Sequence, residues 1–507
     1  MPPDPRPSAA EGGTGGKSAS AASPAHKKIH RAESSAPAID ILGAMDHPAL
    51  FRRYFAGTSW HRWRVFLRAL FALPMDDADL AVFAEHTGRT TSPTVPFKEA
   101  ALICGRRGGK SPVLGLLAVY VACFIDHVPH LAAGEVATVA VIAADRRQAR
   151  TVLRYILGLL RDVPALAALI AAETAESVTL TNRVQIEVHT AGFRTSRGYT
   201  LAAVLCDEIA FWSVEESVAP DTEILRALRP GLSSLPSSML LLASSPYAKR
   251  GALYDAFKRH FGRDDARVLV WRGSTEQMNP TIDPAIIAEA READPEAASA
   301  EYDANFRGDI TTFVSREVVE AAVVSGRYEL SYCAGASYRA FVDPSGGSAD
   351  SMTLAIAHQD GERAILDAVR ERRPPFSPDD VVQEFGALLK LYGLRSVTGD
   401  RYAGEWPRER FKVHGIDYEL STKAKSDIYR DLLPALNSGL LELLDLPRLS
   451  AQLIGLERRT ARGGRDSIDH APGAHDDVAN AVAGVLLATQ APKIQPARRI
   501  SLPWMVR

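Results

Sequence analysis

A chain of 507 residues exceeds what one hydrophobic core organises, so two or three domains are expected. Its 46% hydrophobic and 24% charged content excludes a fibrous or wholly disordered protein, and a formal net charge of -2 excludes a globally basic nucleic-acid binder, so any basic surface must be local. The four cysteines (Cys104, Cys123, Cys206, Cys333) fit no zinc spacing and read as reduced thiols.

Residues 1–44 are rich in Ala, Ser, Gly and Pro with scattered lysines and arginines, and read as an unstructured tail. From 45 to 312 short apolar runs alternate with helical stretches. Ala137–Ala143, Ala202–Cys206 and Met239–Ala243 have the continuous apolar character of strands buried on both faces of a parallel sheet. Helical segments such as Arg147–Leu160 lie between them, which predicts an α/β domain. Ser111–Ile125 carries no charge but is shorter than the about 20 residues of a membrane span, so it reads as a buried helix. No signal peptide opens the sequence, and a cytoplasmic protein without membrane contact is expected.

Residues 313–335 read as a linker, and a second pattern occupies 336–492. Strands are predicted at Tyr338–Val342, Met352–His358 and Arg363–Val369, the last two joined by an Asp360-Gly361 turn. A helix around Asp379–Tyr392, a short strand Ser396–Gly399 and further mixed segments follow. Three strands, then helix, strand, helix, is the order of a ribonuclease H-like fold. Residues 493–507 read as a C-terminal tail.

The stretch Cys104-Gly105-Arg106-Arg107-Gly108-Gly109-Lys110-Ser111 follows the apolar run Ala100–Ile103 and opens an apolar helix. Backbone amides of such a turn can cradle the phosphates of ATP, with Gly105, Arg107, Gly108 and Gly109 shaping the cradle. Lys110 would reach the β- and γ-phosphates and the Ser111 hydroxyl would ligate Mg²⁺. Cys104 stands where the first glycine is usual. Val204-Leu205-Cys206-Asp207-Glu208 places two acids after a buried strand, Asp207 to hold Mg²⁺ through water and Glu208 to orient the attacking water. Ser244-Ser245-Pro246 ends the next strand and could sense the γ-phosphate. Arg106 or Arg107 could neutralise charge developing there, the alternative being a solvated arginine.

In the second domain Asp343 ends the first strand and Asp400 the fourth, and His475-Asp476-Asp477 precedes an apolar helix, Val478–Leu487. Helix capping would explain Asp476 and Asp477 alone. In a ribonuclease H-like sheet, however, strands one and four are neighbours with the last helix beside them. Asp343, Asp400, Asp476 and Asp477 would then gather, and clustered carboxylates resolve their repulsion by binding divalent cations. Two Mg²⁺ or Mn²⁺ ions roughly 4 Å apart could activate water on a phosphodiester. Asp350 is a candidate auxiliary acid. Arg146, Arg147, Arg194, Arg197 and the run Arg458, Arg459, Arg462, Arg465 are candidate DNA contacts.

Together CGRRGGKS, Arg197-Gly198, VLCDE, ASSP, VDPSGG, TGD and HDDVANA resemble the large subunits of tailed-phage terminases, including prophage and gene-transfer-agent forms, from about Trp60 to Leu487. The resemblance implies a P-loop ATPase domain followed by a ribonuclease H-like nuclease domain. It also implies an ATP-driven motor that translocates double-stranded DNA and cuts concatemers. The implied partners are a procapsid portal protein, a terminase small subunit and further copies in a pentameric ring. The implied setting is the infected host's cytoplasm and, transiently, the procapsid, not the mature virion. One departure is that residues 51–100 hold no glutamine where relatives carry an adenine-contacting one; Trp60 to Arg64 could replace it, although Trp60 and Trp63 also read as core. Two other readings remain. One is a P-loop helicase or translocase with an inactive nuclease domain; the other is a nucleotide-binding capsid-assembly component of a gene-transfer particle.

Overall fold

A computed structural model describes residues 39–191, 198–212, 217, 220–347, 350–400, 406–460 and 466–490. Most of the N-terminal tail, the whole C-terminal tail, and Arg194, Arg197, Arg462 and Arg465 lie outside the described residues.

Eight strands form the first sheet: β1 (Glu99–Cys104), β2 (Ala137–Ala143), β3 (Ile170–Glu173), β4 (Ser177–Leu180), β5 (Val184–Thr190), β6 (Thr200–Asp207), β7 (Met239–Ser244) and β8 (Val268–Gly273). Their order is β3-β4-β5-β2-β6-β7-β1-β8, parallel from β5 onward, with β3 and β4 an antiparallel extension. The continuous apolar runs have a simple cause, because alternate residues of each strand serve opposite cores. Ala100, Leu102, Val139 and Val141 pack with Val113 and Leu117 of the helix Lys110–Phe124 and Val152 and Ile156 of the helix Arg146–Asp162. Ala101, Ile103, Ala140 and Ile142 pack on the other face with Leu225 and Leu253. Asp145 caps the helix Arg146–Asp162 by accepting from the amides of Arg147 and Gln148.

The second sheet holds β10 (Tyr338–Asp343), β11 (Met352–Asp360), β12 (Arg363–Arg372), β13 (Ser396–Gly399), β14 (Asp417–Leu420) and β15 (Leu441–Glu442), after β9 (Ile310–Thr312) of a third sheet. Its order is β14-β13-β10-β11-β12-β15. The β10-β11-β12 meander is antiparallel, while β13 runs parallel to β10 and β14 to β13, which is the ribonuclease H-like arrangement. The helix Asp477–Gln490 packs against it through Val478, Ala481, Val482 and Val485.

Two boundaries differ from the sequence reading. Residues 41–44, assigned to the tail, belong to the helix Ile41–Asp46, capped by Asp40 and burying Ile41, Leu42, Ala44 and Met45. The segment is too short for its periodicity to stand out from the Ala-rich run before it. Residues 313–335, read as a linker, hold the helix Arg316–Ala322, capped by Ser315, whose Val319 and Ala322 join the core beneath the second sheet.

The third sheet joins β9, from the end of the first half, to β16 (Leu456–Thr460) and β17 (Asp466–His470), from the second, in the order β17-β16-β9. Glu457 on β16 is fully buried and accepts from Tyr247 Oη (2.7 Å), Arg250 and Arg459 Nη2 (3.1 Å). Arg458 pairs with Asp466 and Arg459 with Glu457, so both guanidinium groups are engaged by carboxylates in this structure. Truncating Glu457 to alanine would strand two arginines in this seam and should destabilise the protein by about 3 kcal/mol. Arg458→Ala, at a half-exposed position, should stay within about 0.5 kcal/mol. Urea unfolding of the two variants checks the contrast. Among the described residues no helix is long and apolar enough to cross a membrane.

Candidate functional site

The sheet order sets β7 between β1 and β6, with Ile103 beside Ser244 and Asp207 beside Ala243. The C-terminal ends of three parallel strands therefore present the glycine-rich loop, Ser244-Ser245 and Asp207-Glu208 side by side, where α/β sheets bind ligands. Lys110, almost fully buried, donates to Cys104 O (3.0 Å) and Gly105 O (3.4 Å) and lies 3.3 Å from Glu208 Oε1. The other Glu208 oxygen accepts from Ser244 Oγ (2.9 Å) and Ser245 N (3.2 Å). Glu208 itself has a positive φ of 49°, a conformation that L residues adopt at a cost of about 1–2 kcal/mol. Lysine, glutamate and both serines thus form one cluster, and Ser111 follows Lys110 as the second residue of the helix Lys110–Phe124.

Cys104 is buried beneath the loop, and burial pushes its thiol up to about 12, so it serves as packing. A Cβ on Gly108 would come within 2.5 Å of its sulfur, so the glycine there makes room for the cysteine. Arg107 takes a positive φ of 63°. Arg106 is exposed, its guanidinium paired with Glu301 at 3.1 Å. The structure therefore gathers Lys110, Asp207 and Glu208 and pairs Arg106 with Glu301.

Asp207 Oδ1 is buried without a hydrogen-bond partner among the described residues, an environment that fits a cation or its water shell. Burial, reinforced by the charge of Glu208 and opposed by Lys110, raises its carboxyl to about 7. In the unfolded chain this proton leaves near the ordinary aspartate value, whereas the folded chain holds it until about pH 7. Stability is therefore fully present in acid and is lost as pH rises through the folded value. Asp207→Asn should remove that loss, raising stability without metal or nucleotide by on the order of 2 kcal/mol at pH 8 and by little at pH 4. Thermal or urea unfolding at both pH values measures it.

In the second sheet β10 and β13 align Phe341 with Thr398 and Val342 with Gly399, so Asp343 and Asp400 follow at adjacent positions. The start of the helix Asp477–Gln490 brings a third acid, and one turn later Asn480 Nδ2 donates to Asp343 Oδ2 at 2.9 Å. Burial pushes the Asp343 carboxyl well above the usual range, opposed by Asn480 and reinforced by Asp477, Asp476 and Asp400. Asp477 is raised to about 6, chiefly by burial, and its Oδ2 is buried with no hydrogen-bond partner among the described residues. Three carboxylates from three elements meet at one point.

The chain is similar in structure to phage large terminases. The large terminase of bacteriophage HK97 matches 85% of this chain over 99% of its own, at 15% identity and a TM-score of 0.37. The large terminase of a thermophilic bacteriophage matches 82% over 99% of its own, at 12% identity and a TM-score of 0.35. The large terminase nuclease of thermophilic phage G20c with bound magnesium matches 34% of this chain over 96% of its own, at 16% identity and a TM-score of 0.31. No protein-family model matches the chain, and no curated protein does.

Asp476 differs from its neighbour. Its carboxylate accepts from Tyr429 Oη (2.9 Å) and from Lys425 Nζ, which also bonds Asp469 at 2.7 Å. Asp469, His470 and Asp476 converge closely enough to hold a cation, but the lysine ammonium already supplies positive charge to both acids. Asp477 is therefore the better placed of the pair for a metal. Asp350 is exposed, 3.6 Å from His475, at the rim. Arg146 and Arg147 are exposed on the first turn of their helix. Sequence reasoning missed Asn480, although its place one turn after the acids in HDDVANA was a usable signal. Tyr429 and Lys425 carry no such signal, because only the fold brings their helix to Asp476.

Proposed function

We propose that the chain is a terminase large subunit, an ATP-driven DNA-packaging motor joined to a metal-dependent endonuclease. The observation that carries this reading is the presence, in one folded unit, of a Lys110–Glu208 phosphate-loop cluster and a separate three-carboxylate cluster on a ribonuclease H-like sheet. Lys110 and the loop amides would bind the nucleotide phosphates, and Ser111 and Asp207 would hold its Mg²⁺. Glu208, freed when Lys110 moves to phosphate, would orient the attacking water, with Ser244 and Ser245 steadying its carboxylate. Asp343, Asp400 and Asp477 would hold two Mg²⁺ or Mn²⁺ ions, which lower the pKa of bound water and neutralise charge on the phosphodiester. Asp476 would act behind them, and Asn480 would fix the Asp343 rotamer. Arg106 would reach the γ-phosphate only by leaving Glu301.

Double-stranded DNA is the substrate in this reading. The portal protein, a terminase small subunit and a pentameric ring are the assembly partners, in the host cytoplasm and on the procapsid. The test is direct: purified protein should hydrolyse ATP with Mg²⁺ and linearise supercoiled plasmid with Mn²⁺. Asp400→Asn should lose cleavage alone. Cleavage unchanged in that variant would favour a motor with an inactive nuclease, and absence of ATP hydrolysis would remove the motor.

A further inference from the structure

Every carbonyl of the loop from Cys104 to Gly108 meets a donor. Lys110 Nζ serves Cys104 O and Gly105 O, and three donors from outside the loop serve the rest. Thr275 Oγ1 donates to Arg106 O (2.7 Å), Asn279 Nδ2 to Arg107 O (2.9 Å) and Trp63 Nε1 to Gly108 O (3.0 Å). These donors come from two separate places: the helix His61–Phe71 before β1, and the short helix Thr275–Met278 with its C-cap after β8.

We propose that Trp63, Thr275 and Asn279 are positioning residues that pre-form the anion cradle by holding successive loop carbonyls outward, an inference that rests on the ATPase reading. The physical reason is the planar trans peptide, in which the C=O of one residue and the N–H of the next point in opposite directions. Holding Gly108 O toward Trp63 turns the Gly109 N–H the other way, beside the first helical amides of Lys110 and Ser111, which have no intrahelical acceptor. Holding Arg106 O toward Thr275 does the same for the Arg107 N–H. Asn279 acts differently: it grips the carbonyl of Arg107, a non-glycine residue held in the left-handed region, and the following Gly108 N–H closes the turn on Gly105 O (3.1 Å) rather than facing the cradle. Amides fixed before the phosphates arrive need no reorganisation when they bind.

The packing agrees. A Cβ on Gly109, whose φ is +100°, would meet Trp63 Nε1 at 3.0 Å, so the indole lies directly against the loop. Gly105 donates its amide to Gly273 O, and a Cβ there would collide with the Thr275 backbone and side chain. The loop is therefore built against the segment after β8, and its shape depends on that segment as well as on its own glycines. This also gives Trp63 a role distinct from contact with the nucleotide base.

Trp63→Phe keeps an aromatic ring in a fully buried position and removes only the N–H; Thr275→Val is nearly isosteric and removes only the hydroxyl. Each should raise KM for ATP and Kd for ADP by about five- to tenfold, the worth of one hydrogen bond, while kcat stays within about twofold. Asn279→Ala should act in the same direction. A thermal midpoint near wild type separates this effect from misfolding, and Thr275→Val carries the test if Trp63→Phe fails to fold. Unchanged KM and Kd in folded Trp63→Phe and Thr275→Val would overturn the inference and leave the ATPase reading standing. A wild-type protein that hydrolyses no ATP, or a Lys110→Ala protein that still does, would overturn the reading itself and the inference with it.

Discussion

A Lys110→Ala protein is expected to remain folded and to lose ATP hydrolysis by at least about a hundredfold. The side chain is almost wholly buried, and its ammonium is set between the loop carbonyls and Glu208. Without nucleotide it neutralises Glu208 and opposes the rise of the Asp207 carboxyl to about 7. With nucleotide the same charge would turn to the phosphates, so one residue would serve first as the internal counter-ion and then as the ligand. Its removal leaves two adjacent carboxylates without compensation. The Asp207 carboxyl should therefore rise further, and the folded variant should become less stable toward alkaline pH. Turnover at saturating Mg²⁺-ATP, read with far-UV circular dichroism, separates lost chemistry from lost fold. Hydrolysis within tenfold of wild type would mean that the loop does not bind phosphate in the way described.

Legibility in the sequence followed burial. Strands buried on both faces, such as Ala137–Ala143 and Met239–Ala243, announce themselves because every position must be apolar. The extension β3-β4 does not, since β3 is mostly exposed, β4 alternates over only four residues, and the pairing is set by neighbours. The seam strand β16 was the hardest: Leu456-Glu457-Arg458-Arg459-Thr460 reads as a solvated basic stretch. Only tertiary packing shows that Glu457 is fully buried and that Arg459 answers to it and to Tyr247.

The candidate sites show the same division. Lys110, Asp207 and Glu208, and separately Asp343, Asp400 and Asp477, are singled out from strand ends and helix starts, and main-chain topology alone places each set side by side. Residues proposed to act through another residue are not legible in this way. Trp63 read as core from its spacing, and it is core, yet the bond of its indole N–H to Gly108 O depends on where a distant loop lies. From its place in the loop Arg106 reads either toward the phosphate or as a solvated arginine, and only the fold shows that Glu301, far along the chain, pairs with it.

Asp343→Asn should abolish Mn²⁺-dependent plasmid cleavage, a loss of at least about a hundredfold, and leave ATP hydrolysis within about twofold. Asp343 is the acid on which the other three charges converge, and Asn480 already holds one of its oxygens, so an asparagine fits its space while removing the charge. The pH dependence follows in sign from the same crowding. Without a cation, burial and mutual repulsion keep Asp343 and Asp477 protonated above the ordinary carboxylate range, Asp477 to about 6. A divalent ion must displace those protons, so metal affinity should climb as pH rises through and beyond about 6, and cleavage at limiting Mn²⁺ should climb with it. At saturating Mn²⁺ the dependence should flatten. Asp477→Asn should weaken metal binding far more than Asp476→Asn, because Lys425 and Tyr429 already engage the Asp476 carboxylate. Calorimetric titration of Mn²⁺ at about pH 5.5 and about pH 7.5, either side of the Asp477 value, would show it. Equal losses in the two variants would place Asp476 among the ligands after all.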